Sequence, residues 1–208
     1  MNHKLSDVCS FVDGRIPVVN LELDNYISTE NMLPNKEGIT QSAGLPTVSQ
    51  TQAFKSGDVL ISNIRPYFRK IWLADRNGGC SNDVLVMRAN DKAYPRFLYY
   101  VLSDDRFFDY ATTTAKGTKM PRGDKDAIMQ YSVPDISLEM QAMIIDTLSI
   151  LDDRIFINKA INRHLAVRSA TDSSPDMSRG KRVSRRVTRC LDSVFFSRIN
   201  DVIASSIA

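Results

Sequence analysis

A chain of 208 residues, 43% apolar and 25% charged, can close one sizeable core with an extension and is short for two full domains. No run approaches the ~18–20 apolar residues of a membrane span, and the opening MNHKLSDVCSFVDG lacks the unbroken apolar segment of a secretory signal, so a cytoplasmic protein is expected. The net charge of +3 is uneven: from Ala166 onward eight Lys and Arg face four Asp and Glu, leaving −1 on the remainder, so affinity for a polyanion must come from local patches or the tail.

Residues 1–134 read as a mixed α+β body. DNYISTENM predicts a short strand or turn, and the polar stretch LPNKEGITQSAGLPT a loop. DVLIS (58–62) and YFRKIWLA (67–74) predict strands with Asn63–Pro66 bending the chain between them, and DVLVMRA (83–89) predicts another. YPRFLYYVLSDDRFFDYATTTA (94–115) predicts one or two helices, with Pro95 suited to a first turn and Ser103–Asp104 to a break and N-cap. KGTKMPRGDK (116–125) is a basic loop, DKDAIMQY a short helical turn and SVP a closing strand.

Residues 135–165 change character: no Gly or Pro interrupts DISLEMQAMIIDTLSILDDRIFINKAINRHL, and Ser137 offers a cap. Ile144, Leu148, Leu151 and Ile155 repeat at 4-3-4 spacing, and the register continues through Asn158, Asn162 and Leu165. A helix of about 29 residues would reach roughly 43 Å, more than a small body covers, so this coiled-coil-type stripe calls for a partner helix. The alternative is an ordinary C-terminal helix packed on its own domain. The tail, 166–208, is basic, Ser- and Arg-rich and aperiodic, and is expected to be flexible.

Little in the chain supports autonomous chemistry. His3 and His164 stand outside any motif, and Cys9, Cys80 and Cys190 form no C-x-x-C pair, so neither a nucleophilic triad nor a metal site is expected. GTKMPRGDK has the wrong glycine spacing for a phosphate-binding loop, and the P-D of VPDISLEM has no following acid-x-Lys. No cofactor is expected. What remains are two basic clusters: Arg65, Arg69 and Lys70 around Tyr67, and Lys116, Lys119, Arg122 and Lys125 around Thr118. Such side chains suit phosphate contacts, and Arg also suits a guanine edge; they equally suit a solvated surface, with Arg65 paired and Tyr67 packed.

Three stretches in this order, FKSGDVLISNIRPYFRK (54–70), TAKGTKMPR (114–122) and VPDISLEMQAMIIDTLSILDDRI (133–155), resemble the DNA specificity subunit of type I restriction–modification systems. The first is similar to that family's G-D-[IV]-L-[FIV]-S-x-[IV]-R-P-Y signature. The last is similar to its conserved helix, except that Met140 separates Glu139 and Gln141 where the family has the two residues adjacent. The resemblance implies a target recognition domain (1–134) that reads half of a bipartite double-stranded DNA site, followed by a long spacer helix (135–165). It implies a non-catalytic subunit that positions an adenine methyltransferase subunit using S-adenosylmethionine, and a restriction subunit where one exists.

Arg69, Lys70, Lys116, Thr118, Lys119 and Arg122 are the DNA-contact candidates, and Arg65–Tyr67, being part of the signature, is assigned a structural role. Base readers are expected in the less family-like loops 31–50 and 75–82. The family carries two such domains and two such helices, and here there is one of each. Helix pairing through Ile144, Leu148, Leu151, Ile155 and Leu165 is therefore expected either in a homodimer reading a split palindrome or with a second specificity fragment. The tail departs from the family and reads as a truncated or frameshifted end that would add salt-sensitive DNA affinity. Two alternatives stand beside this: a stand-alone DNA-binding module, and a non-functional remnant acting only in protein assembly.

Overall fold

The two apolar runs that the sequence marks as strands lie at the centre of the body because both of their faces are covered. In the computed structural model, which describes the backbone of residues 2–171 and side chains from 3 to 162, β6 (Val59–Ser62) is buried at every position and β9 (Val84–Ala89) at its first four. With β2 (Cys9–Phe11) and β7 (Ile71–Leu73) they form an antiparallel sheet of order β2-β9-β6-β7. A second sheet, β3-β5-β8-β4, joins Arg15–Pro17, Gln50–Phe54, Gly78–Cys80 and Tyr26–Ile27, its last pair parallel. β1 (Asn2–Lys4) pairs antiparallel with β10 (Ser132–Pro134). The fold is α+β with mixed sheets and a long C-terminal helix.

The core joins the two larger sheets: Ile27, Met32, Phe54, Leu60, Cys80, Val84 and Val86 are all buried, and Trp72 packs edge-on to Phe54 with ring centroids 5.8 Å apart. The second sheet is hard to read in sequence because its strands are short and polar, as in QTQAF, or glycine-rich. A Cβ on Gly78 would sit 2.1 Å from the Asn25 carbonyl oxygen, and one on Gly79 2.7 Å from Leu21 and Thr51. Only glycine lets β8 lie between β5 and β4 at that separation.

One strand reading needs correction. Residues 67–70 do not extend β7; Pro66–Phe68 form a single 3-10 turn flanked by Arg65 (φ 51°) and Arg69 (φ 53°), both left-handed. Two non-glycine residues in that region cost on the order of 1 kcal/mol each, and only the surrounding contacts hold them. The helical readings agree more closely. α1 (Pro95–Leu102) begins on Pro95, and α2 (Asp105–Thr113) is capped by Asp104, whose side chain accepts from the Arg106 N–H. α3 (Lys125–Met129) is capped in the same way by Asp124.

The long helix α4 spans Leu138–Thr171 and continues through the change of composition at 166; residues 172–208 lie outside the described part. The first compact unit ends within it at Leu148. At its start Gln141, 3% exposed, donates to the carbonyls of Lys92 and Ile136 and accepts from the Tyr94 N–H, all near 3 Å. Two of those bonds anchor the helix on the loop before α1 and the third holds the helix's own lead-in at Ile136; together they account for the glutamine of the helix motif. The second unit, as far as it is described, is the remainder of α4 from Ser149.

Cys9 and Cys80 are free and buried, and burial pushes both thiols up to about 12. Neither has a useful thiolate fraction at pH 8. In the folded chain both are expected to resist a disulfide reagent at that pH, and both should react once denaturant is added. Titrating accessible thiols before and after unfolding checks this.

Candidate nucleic-acid interface

The signature loop around Arg65 and the basic stretch 116–122, some fifty residues apart in the chain, are neighbours in space. Lys116 and Arg122 exchange backbone hydrogen bonds of 2.8 and 2.9 Å, closing a hairpin whose turn uses Gly117 at φ 96°. The hairpin docks on the signature loop: the Arg65 N–H donates to the Pro121 carbonyl at 2.8 Å and the Gly123 N–H to that of Asn63 at 3.0 Å. Gly123 fits closely here: a Cβ would meet the end of Ile128 at 2.9 Å and the Asn63 side chain at 3.0 Å, and both would have to shift.

Around this junction Arg65, Lys116, Thr118, Lys119 and Arg122 are all exposed. Two of the cations rest on surface carboxylates. Lys116 lies 2.6 Å from Asp124 and Arg122 2.9 Å from Asp83. The Lys116 ammonium beside Asp124 holds that carboxyl below the usual range, and the same contact raises Lys116. The cation of each pair is exposed while its carboxylate is partly buried, so both cations are open to a phosphate oxygen.

Asp83 also borders the next feature, a polar cleft of about 560 Å³ lined by Ser28–Asn31, Thr40–Pro46 and Ser81. Its walls are held by Asn31, whose carboxamide accepts from the Ser28 N–H and donates to the carbonyls of Tyr26 and Thr40. Within the cleft Gln41 and Glu30 are exposed. Loop 31–50, expected to hold base readers, supplies most of one wall; of 75–82 only Ser81 takes part.

The candidate residues thus divide. Lys116, Thr118, Lys119 and Arg122 stand together on the hairpin. Arg69 and Lys70 stand apart from it and already have partners. Arg69 pairs with Asp105 at 2.8 Å and reaches Asp109 at 3.5 Å. Lys70 donates to the Thr29 carbonyl at 2.6 Å beside the Phe68 ring, and burial lowers its ammonium while Glu30 opposes that shift. Arg65, read from the sequence as structural, has a structural backbone and an exposed side chain, and Tyr67 is 49% exposed, its ring tilted against that of Phe68 with centroids 4.8 Å apart. The helix-pairing candidates divide as well. Ile144 and Leu148 are 6% and 7% exposed within the first unit, Leu151 and Ile155 are half-buried, and the side chain of Leu165 lies outside the described residues. In the second unit Ile150, Phe156, Ile157 and Ile161 are exposed.

A family model described as the type I restriction modification DNA specificity domain matches residues 1–166. The chain belongs to this family. Within it, the chain is 26% identical over 129 residues to the type I restriction enzyme EcoDI specificity subunit of Escherichia coli, covering 58% of this chain and 29% of that protein. It is 29% identical over 149 residues to the HindI specificity subunit of Haemophilus influenzae, covering 67% and 32%.

The chain therefore aligns with about a third of the length of these curated relatives. The HsdS subunit from Thermoanaerobacter tengcongensis shares the fold at a TM-score of 0.60 and 21% identity, over 86% of this chain and 52% of that one. The S subunit of the M. genitalium system does so at 0.54 and 19%, over 82% and 44%. Among the described residues no helix is long and apolar enough to cross a membrane.

Proposed function

We propose that this chain is a DNA-reading component of a type I restriction–modification complex, without catalytic groups of its own. The observation that carries the reading is the docking of the basic hairpin 116–122 on the signature loop, at the edge of a polar, uncharged-to-acidic cleft. In this reading Lys116, Thr118, Lys119, Arg122 and Arg65 hold phosphates, which positions the domain without reading sequence. Side chains of the cleft loops, 28–31 and 40–46, then meet base edges, where amides and hydroxyls discriminate and where Glu30 and Asp83 would repel a phosphate.

One such domain reads one part of a split target. The second part requires either another copy or a second specificity fragment, joined through α4. Ile144 and Leu148 are committed to the first unit, so the pairing face draws on Leu151, Ile155 and the exposed Ile150, Phe156, Ile157 and Ile161. A modification subunit docked on the pair would methylate adenine, and a restriction subunit would join where the system has one. Similarity to the EcoDI and HindI specificity subunits supports this assignment, as does the fold shared with a chain from a study of complex assembly in the type I system.

The test is to express the chain with its modification subunit in a host lacking other adenine methylation, and to map methylated adenines across the genome. A split palindromic motif is expected for a symmetric pair, and an asymmetric split motif for a second fragment. No new methylation with both proteins soluble would overturn the reading.

A further inference from the structure

We infer that Asp105 is a positioning residue that sets the cleft's reading loop against the signature turn, an inference that rests on the DNA-reading function proposed above. Residues 32–39 form a hairpin, closed by the Met32–Ile39 bridge and a Leu33 N–H bond to the Gly38 carbonyl at 2.8 Å. Its tip, Asn35 and Lys36, is left-handed at φ 57° and 62°. The two tip N–H groups donate to the carbonyls of Phe68 and Arg69, each at 2.9 Å, so one strained turn sits on another. Asp105, at the first position of α2, joins them through its side chain: one carboxylate oxygen takes Lys36 at 2.7 Å and the other takes Arg69 at 2.8 Å.

The two legs of this hairpin lead directly into the cleft walls through Asn31 and Thr40. Asn35 tolerates the left-handed region and Lys36 does not, so the tip is held at Lys36 by contacts from outside the hairpin, of which the shared carboxylate is one. Asp105 lines neither the cleft nor the basic hairpin 116–122, so its effect on reading passes through Lys36 and Arg69.

The charge arithmetic makes the inference distinctive. Asp105→Asn removes one negative charge beside Lys36 and Arg69 and raises net charge by one, so it should tighten non-specific DNA binding about 2-fold at low salt. It should at the same time lower the ratio of selected-site to scrambled-site affinity about ten-fold, because the cleft walls lose their fixed spacing. A merely structural role would weaken both together. Lys36→Met should reproduce the loss of ratio without the non-specific gain, and Asp105→Glu, which keeps the shared carboxylate, should restore most of the ratio.

The experiment uses the full chain in two arms. Amide hydrogen exchange on the free protein should show Asn35 and Lys36 exchanging about ten-fold faster in Asp105→Asn than in wild type or Asp105→Glu. Unchanged exchange overturns the positioning role whether or not the chain binds DNA. Selection from a random duplex library then compares motifs: a motif relaxed in Asp105→Asn and Lys36→Met is expected, and an unaltered motif overturns the link to reading. Failure of wild type itself to enrich any motif, alone or with its modification subunit, overturns the DNA-reading function and leaves the exchange result to decide the tie.

Discussion

Replacing Lys116, Lys119 and Arg122 together by glutamine is expected to weaken duplex DNA binding about a hundred-fold near 0.1 M salt and to reduce the slope of log affinity against log salt by about 2–3. The three side chains stand on one exposed hairpin, and each suits one phosphate. The fold should be almost unaffected, because the ion pairs lost with Asp124 and Asp83 lie at the surface and the hairpin's shape rests on its backbone bonds to Asn63 and Arg65. The motif selected from random duplex should stay the same, since phosphate contacts position and do not read. Fluorescence anisotropy across a salt series, beside thermal melts, makes the comparison. Full affinity in the triple variant would remove the hairpin from the interface and turn attention to Arg65, Lys70 and the tail.

The second large effect concerns stability. Asp58→Ala is expected to cost about 2–3 kcal/mol and to lower the melting temperature by roughly 5–10 °C for a chain of this size. The Asp58 carboxylate, with a side chain 2% exposed, takes Arg88 on both oxygens at 2.7 Å and accepts the Lys55 N–H at 2.7 Å. The turn it closes needs Gly57 at φ 90°, and the segment is pinned to the neighbouring strand end by paired bonds between Gly57, Asp58 and Ala74.

Arg88 is 40% exposed and can return to water, which keeps the loss below that of a wholly buried pair. Arg88→Met strands the carboxylate and should cost a comparable amount, while the double variant should cost less than the two together by about 1–2 kcal/mol. Urea unfolding followed by the single tryptophan, Trp72 beside Phe54, reports all three. A loss under about 1 kcal/mol in Asp58→Ala would mean that the aspartate of the G-D signature is not kept for the fold.

These two results would separate the parts of the signature that the sequence leaves mixed. By themselves the residues marked the central strands, read at 58–62 and 83–89 and found at Val59–Ser62 and Val84–Ala89, a helical stretch with a break offered at Ser103–Asp104, the short helix and closing strand after 125, and the long helix after Ser137. Each rests on a local signal: an unbroken apolar run, a proline at a helix start, an acidic cap, or a stretch free of glycine and proline. The family was legible too, because three ordered motifs identify it even though each is weak alone.

What only the tertiary structure decided is contact between distant segments. Nothing near Arg69 and Lys70 in the chain shows that Asp105 and the Thr29 carbonyl occupy them, and nothing near Lys116 shows that its hairpin docks on Asn63 and Arg65. The glycine pair of β8 lies within 75–82, expected to be a loop, and is a strand because the backbone of Asn25 packs against it. Ile144 and Leu148 follow the same 4-3-4 spacing as Leu151 and Ile155, yet only the first two are buried within the first unit. Periodicity marks which residues seek cover, because a side chain's spacing is set along the helix. What provides the cover is set by segments brought together across the chain, and that information resides in the packed fold.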